Sequence, residues 1–325
     1  MTMILALAFS SHRLETLPLA ERLMHAHDLV LIEEPPSPDF GRMLSRELQV
    51  DEYLLAADYE YPTFAEASCH MLQRLQAKGR RILPSEPFME RLIDIHAHFA
   101  AGGRPAALAS DERLWPVYQA ERKATGRLLA LYGAAAARRF DRMVEAACAF
   151  AAADAARFIL RDQLRAASIA RLIDGLDGKV YVEAGYLHLG LLRELRRLFP
   201  ASAVIRPVFL LREVYRGAGY KTHLFGPGDL LTLAFIFDRS LNETQQHLLA
   251  ARSLVYNQLI VKEEMRPGRE AFPDARDDLA VIRYVNRLSY RDCRRLCGRI
   301  VDLDPQAARR AARGFPLPGT GTVPG

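Results

Sequence analysis

Apolar positions along the chain fall into short unbroken runs separated by longer stretches of helical period. Residues 3–9, 28–32 and 179–182 are the clearest runs, each too short for a helix and each closed by polar or turn-forming residues. Residues 81–83 form a weaker run, and residues 203–211 another, in which Pro207 demands a sheet edge or a bulge. Helical period marks residues 17–26, with Thr16 as cap and Pro18 in the first turn. It returns in short form at 40–48 and 51–57, and more firmly at 63–77 and 88–99. An Ala/Leu/Arg-rich stretch over 111–176 then reads as almost continuous helix, and 229–237, 243–265 and 276–303 are helical again. No solenoid repeat interrupts this order.

The pattern predicts an α/β fold with a mixed or mostly parallel central sheet flanked by helices, a large helical insertion and a helical C-terminal region. Residues 1–105 are the first βαβ part, 106–176 the insertion or cap, and 177–225 the second strand-containing part. Residues 226–313 are the C-terminal helices, and 314–325 a Pro/Gly/Thr-rich tail expected to be disordered. Strand, helix and strand within the first forty residues predict a parallel pair with a right-handed crossover.

Residues 179–197 carry the sharpest local signal: strand, turn with Glu183, Tyr186 and His188, then an amphipathic helix. Ligands in open α/β sheets bind outside the carboxyl ends of strands. Four polar groups occupy such ends: His12, Glu33 with Glu34, Glu86, and Glu183 with Tyr186 and His188. Two histidines and several carboxylates suffice for a divalent metal, with His12, Glu33 and His188 as ligands, and equally for acid–base chemistry without one. Arg161 lies on the helix before the key strand, where a guanidinium reaches a substrate or pins a carboxylate. Each residue alone has a plainer role as a cap or a solvated turn.

Composition narrows the function classes. In 325 residues, 44 basic side chains face 39 acidic ones, and the small excess is spread over helical stretches, which argues against a nucleic-acid partner. No run reaches the roughly 20 apolar residues of a membrane span. The first residues lack the basic segment of a signal peptide, so a cytoplasmic location is expected. Cys69, Cys148, Cys293 and Cys297 form no CxxC pair, and the last two share a helix face; buried free thiols in a reducing compartment are expected. Walker, nucleophile-elbow, dinucleotide-binding and HExxH motifs are absent.

The same strand ends carry a family resemblance. Phe9-Ser10-Ser11-His12, Glu33 after the second strand, Glu86 after the third, Arg161-Asp162-Gln163-Leu164-Arg165, and Glu183-Ala184-Gly185-Tyr186-Leu187-His188-Leu189-Gly190 resemble, in order and spacing, the TraB / TIKI / erythromycin esterase / ChaN-like superfamily. The similarity covers residues 3–100 and 155–200. The first motif lacks the family's Gly and Thr, Glu183 stands where the second has Gly, and Tyr186 or His188 takes the place of its His. The region from Gly226 onward has no counterpart.

The resemblance implies several activities. Erythromycin esterases activate water with His and Glu, TIKI proteins are metal-dependent proteases, ChaN-like proteins bind haem, and TraB-like proteins act in pheromone shutdown. The first expectation is a hydrolase of small-molecule or peptide substrates. In it His12 is base or ligand, Glu33 its orienting carboxylate, His188 the second ligand or acid, and Arg161 the group facing substrate. Glu34, Glu86 and Glu183 support them. The alternatives are a haem or small-ligand binder with Tyr186 or His188 as axial ligand, and a regulatory protein with a degraded site.

Overall fold

The apolar runs become five strands: β1 (Ile4–Ser10), β2 (Leu29–Ile32), β3 (Arg81–Pro84), β4 (Lys179–Gly185) and β5 (Val204–Phe209). The computed structural model describes residues 3–56, 59–200, 202–221 and 223–315. Every strand pairing is parallel and the order is β3-β2-β4-β1-β5. The expected pairing of the first two strands needs correction. They are parallel but not neighbours, because β4 lies between them. Val180, Tyr181 and Val182 are all buried, so β4 is apolar on both faces and suits an interior slot. Pro207 is on the edge strand β5, opposite Leu7, where a missing N–H costs no ladder bond.

Helices cover both faces. α1 (Leu17–His25), α2 (Pro38–Leu44), α3 (Val50–Leu55) and α4 (Pro62–Ala77) follow one another around the first two strands. Residue 57 of the expected second short helix lies outside the described residues. Thr16 stands at the N-cap of α1, but its hydroxyl donates to the Arg13 and Ser11 carbonyls instead of accepting from the helix. Next come α5 (Pro87–Ala100), α6 (Pro105–Leu108), α7 (Trp115–Ala136) and the 33-residue α8 (Phe140–Leu172). After β4 and β5 the chain forms α9 (Leu189–Leu198) and α10 (Leu210–Gly217).

Alternating side chains sort the sheet into two cores. Ala8, Val30, Ile32 and Tyr181 pack with Met24, Met43 and Leu72 of α1, α2 and α4. Leu7, Leu31, Val180 and Val182 pack with Ala166 and Ile169 of α8 and Leu191 and Leu195 of α9. The last third of α8 therefore builds one face of the sheet.

The chain divides into two compact units. The sheet unit comprises Met1–Tyr118, Leu160–Lys221 and Glu263–Asp274; the other comprises Gln119–Ile159, Thr222–Lys262 and Ala275–Gly325. The second unit holds α11 (Pro227–Ile236), α12 (Glu243–Leu259), α13 (Pro273–Val285, from Ala275 on), α14 (Tyr290–Ile300) and α15 (Pro305–Arg313). The expected helix over 276–303 is thus two, parted where Ser289 caps α14 with Asp292. Val144, Val255, Val285 and Leu296 centre its apolar core, which also buries Cys293, Cys297 and Phe315. The cysteines are free. Residues 316–325, most of the expected tail, lie outside the described residues. No helix among the described residues is long and apolar enough to cross a membrane.

Candidate functional site

Register brings the strand ends together. Ser10 pairs with Gly185 and Leu31 with Val182, so β1, β4 and β2 finish at one edge. The Tyr186 N–H donates to the Ser10 carbonyl at 2.8 Å, and the Ser85 N–H to the Ile32 carbonyl at 3.0 Å. The β4 turn is therefore central, flanked by the β1 end with His12 and the β2 end with Glu33 and Glu34. Glu183 lies within β4 and follows its pleat, while Glu33 and Glu34 lie in the bend just past β2. Glu33 follows Leu31 toward α8, whereas Glu34 follows Ile32 and Glu183 follows Tyr181 toward the α4 side.

On the α8 side lies a buried ion cluster centred on Glu33. Its Oε1 is 3.1 Å from His188 Nε2 and 3.3 Å from Arg161 Nη2. Its Oε2 accepts from the Gly185 N–H at 2.6 Å and lies 2.9 Å from Arg165 Nη1. Arg165 is fully buried and donates Nε to the Ser85 carbonyl and Nη2 to the Glu183 carbonyl. Arg161 and Arg165 both pair with buried Glu86, at 3.5 and 3.8 Å. His188 Nδ1 is 2.5 Å from Asp162 Oδ1. Arg161 and Arg165 are four apart, so one helix face carries both guanidiniums to the strand ends.

Burial by itself would raise the Glu33 carboxyl, but His188, Arg165 and Arg161 outweigh it and hold it well below the usual carboxylate range. Burial by itself would lower His188; Glu33 and Asp162 overcome that and raise the imidazole to about 9. At neutral pH the pair is ionised, and both ring N–H groups of His188 donate to carboxylates. Gly185 has a steric reason to be glycine: a Cβ there would stand 3.2 Å from His188 Cδ2 and 3.7 Å from Glu33 Oε2.

On the other side is a pocket lined by His12, Glu33, Glu34, Glu183 and the rings of Tyr53, Tyr59, Tyr61 and Phe64. Burial, with Glu183, Glu33 and Glu86 nearby, raises Glu34 to about 7. Burial also raises Glu183, and Glu33 adds to this, against the pull of His12, the Glu33 N–H and Arg165. The Glu33 N–H donates to Glu183 Oε2 at 3.3 Å. His12 is exposed at the rim, its ring stacked on Phe64 with centroids 5.2 Å apart. Glu264 accepts from the first N–H groups of α4, Thr63 at 2.8 Å and Phe64 at 2.7 Å, and so fixes this wall.

Each expected residue has a place. Glu33, Glu86, Arg161 and His188 meet in the ion cluster, and His12, Glu34 and Glu183 in the pocket, which Glu33 also lines. The metal set His12, Glu33 and His188 is not assembled. Both nitrogens of His188 and both oxygens of Glu33 are engaged within the protein, and no group of three His, Cys, Asp or Glu among the described residues is placed to hold a metal ion. His188 likewise has no nitrogen to offer a haem iron, and Tyr186, half-buried, lies outside the pocket lining. Arg161 spends its guanidinium on Glu33 and Glu86.

Asp162 as partner of His188, Arg165 as anchor and the tyrosine wall were not singled out in the sequence. The spacing of Arg161 and Arg165 was visible, but nothing distinguished a buried arginine on this Arg-rich helix from an exposed one. Tyr59 and Tyr61 stand between two helices, where aromatic residues in a connection were the only sign.

Among known proteins, an uncharacterized protein of Archaeoglobus fulgidus is 29% identical over 289 residues, spanning 89% of this chain and 96% of that protein. No protein-family model matches the chain. No solved structure matches it.

Proposed function

We propose that the chain is a hydrolase of the esterase or peptidase type in which Glu34 moves the proton, Glu33 is a fixed negative charge beside it, and His12 completes the pocket. One observation supports this most: two consecutive carboxyls at the sheet's carboxyl edge have opposite surroundings, Glu33 among two guanidiniums and an imidazole and Glu34 in a pocket of acidic and aromatic side chains, which holds Glu33 down and raises Glu34 to about 7. Environments that separate two carboxyls divide acid from base roles, and a base near 7 suits neutral pH. The resemblance to the erythromycin esterase-like superfamily, whose esterases activate water with His and Glu, points the same way.

Ionised Glu34 takes a proton from water as the water oxygen bonds to the carbonyl carbon and the carbonyl electron pair moves onto its oxygen. Re-formation of the carbonyl breaks the bond to the leaving oxygen or nitrogen, and Glu34 returns its proton there. His12 donates a hydrogen bond to the developing oxyanion. Arg161, Arg165, His188 and Asp162 are positioning residues, acting through Glu33. The four free thiols accord with a cytoplasmic location.

The test is turnover of p-nitrophenyl esters and fluorogenic peptides. Expected is hydrolysis that rises with pH through about 7, with Glu34→Gln slower by about 10²-fold or more and His12→Ala also impaired. Equal turnover in the wild type and both variants, or none with any substrate, would refute the proposal.

A further inference from the structure

We infer that the pocket receives the alkylammonium end of its ligand, so that its substrates are amine-bearing esters or amides. This rests on the pocket being the substrate site, as proposed above. The first reason is charge. The lining holds four acidic side chains, Glu33, Glu34, Glu60 and Glu183, and one basic residue, His12. Glu33 is balanced from outside the lining by Arg161, Arg165 and His188. Among the described residues no Arg, Lys or His forms an ion pair with Glu34, which shares the lining with Glu33, Glu60 and Glu183. A carboxylate or phosphate substrate would add negative charge to this set, whereas a cation would relieve it.

The second reason is the wall. Tyr53, Tyr59, Tyr61 and Phe64 line the space beside these carboxylates. Aromatic faces attract cations through their quadrupole, and rings combined with carboxylates are the chemistry of ammonium recognition. One ring already does this within the protein: Arg13 Cζ sits 4.4 Å from the Tyr61 centroid. Tyr53 and Tyr59 share a hydroxyl hydrogen bond, which joins these two wall residues. An ammonium group would meet Glu34 and Glu183 on one side and rings on the other, and its attached carbonyl would lie within reach of the same glutamate that moves the proton.

The test is binding of choline against its neutral isostere 3,3-dimethylbutan-1-ol, by calorimetry on the full chain, with circular dichroism as the check on folding. Choline is expected to bind at least about tenfold more tightly than the isostere, and the preference is expected to collapse in Glu34→Gln and weaken in Tyr59→Leu. Equal affinities, absence of choline binding, or a preference unchanged in both variants would overturn the inference. The two claims separate cleanly. Choline preference without turnover of any ester removes the hydrolase and leaves the ammonium site. Turnover without choline preference does the reverse.

Discussion

Glu33 and Glu34 are consecutive in the chain and opposite in circumstance. Glu33 faces α8 and is met by two guanidiniums, an imidazolium and a backbone N–H. Glu34 faces the tyrosine wall among other carboxylates. They leave the bend after β2 in different directions, Glu33 to the cations of α8 and Glu34 to the side lined by α4 and the tyrosines. The buried cluster sets carboxylates against guanidiniums and an imidazolium, and ties the ends of β2 and β4 to α8. The pocket gathers acidic side chains beside aromatic rings, with burial and neighbouring carboxyls raising Glu34.

Variants of the two regions should therefore differ in sign. The largest effect belongs to Arg165→Leu, which removes a buried cation from Glu33 and Glu86 and donors from the Ser85 and Glu183 carbonyls. Urea denaturation should show a loss of about 3–5 kcal/mol, as for other broken buried ion pairs. A change below about 1 kcal/mol would mean that the cluster does not hold the edge.

His188 comes next. Its folded pKa of about 9 lies above the ordinary 6.5, so its contribution is complete below 6.5 and is lost as pH rises through 9. The wild type should lose roughly 3 kcal/mol from this source across that window, and His188→Gln should lack the slope. Glu33 has the opposite sign: its depressed pKa gives stability present above the ordinary 4.5 and lost as pH falls through the folded value. Smaller again is Gly185→Ala, whose methyl crowds His188 and should cost about 1–3 kcal/mol in the same denaturation assay.

Glu34→Gln closes the series with a reversed sign. The raised pKa means that the folded state binds more protons between 4.5 and about 7, so stability falls as pH rises through that range. Glutamine removes this penalty. At pH 8 the variant should be more stable than the wild type by about 0.5–2 kcal/mol while losing hydrolysis, as happens where activity needs a strained group. A destabilised Glu34→Gln would erase the distinction between the two regions.

The parts of this arrangement legible in the sequence were those with a local signature. Unbroken apolar runs marked β1, β2 and β4, and the polar residue after each run marked Glu33, His12 and Glu183. Strand order was not legible, because strands buried on both faces look alike whichever neighbour they take. The apolar runs therefore do not show that β4 lies between β1 and β2. The pairing of Asp162 and Arg165 with residues of the β2 and β4 ends was hidden for a related reason. A helix pattern shows which residues share a face, but not that a charged face packs onto a sheet edge. The difference between Glu33 and Glu34 needed both pieces, since only the position of α8 supplies the cations.

The most direct measurement is the titration of these two side-chain carboxyls by carbon-detected NMR on glutamate-labelled protein, with Glu34→Gln to assign the signals. One carboxyl, missing in the variant, should titrate near 7, while Glu33 should stay ionised far below the ordinary 4.5. Two carboxyls titrating together near 4.5 would contradict the account.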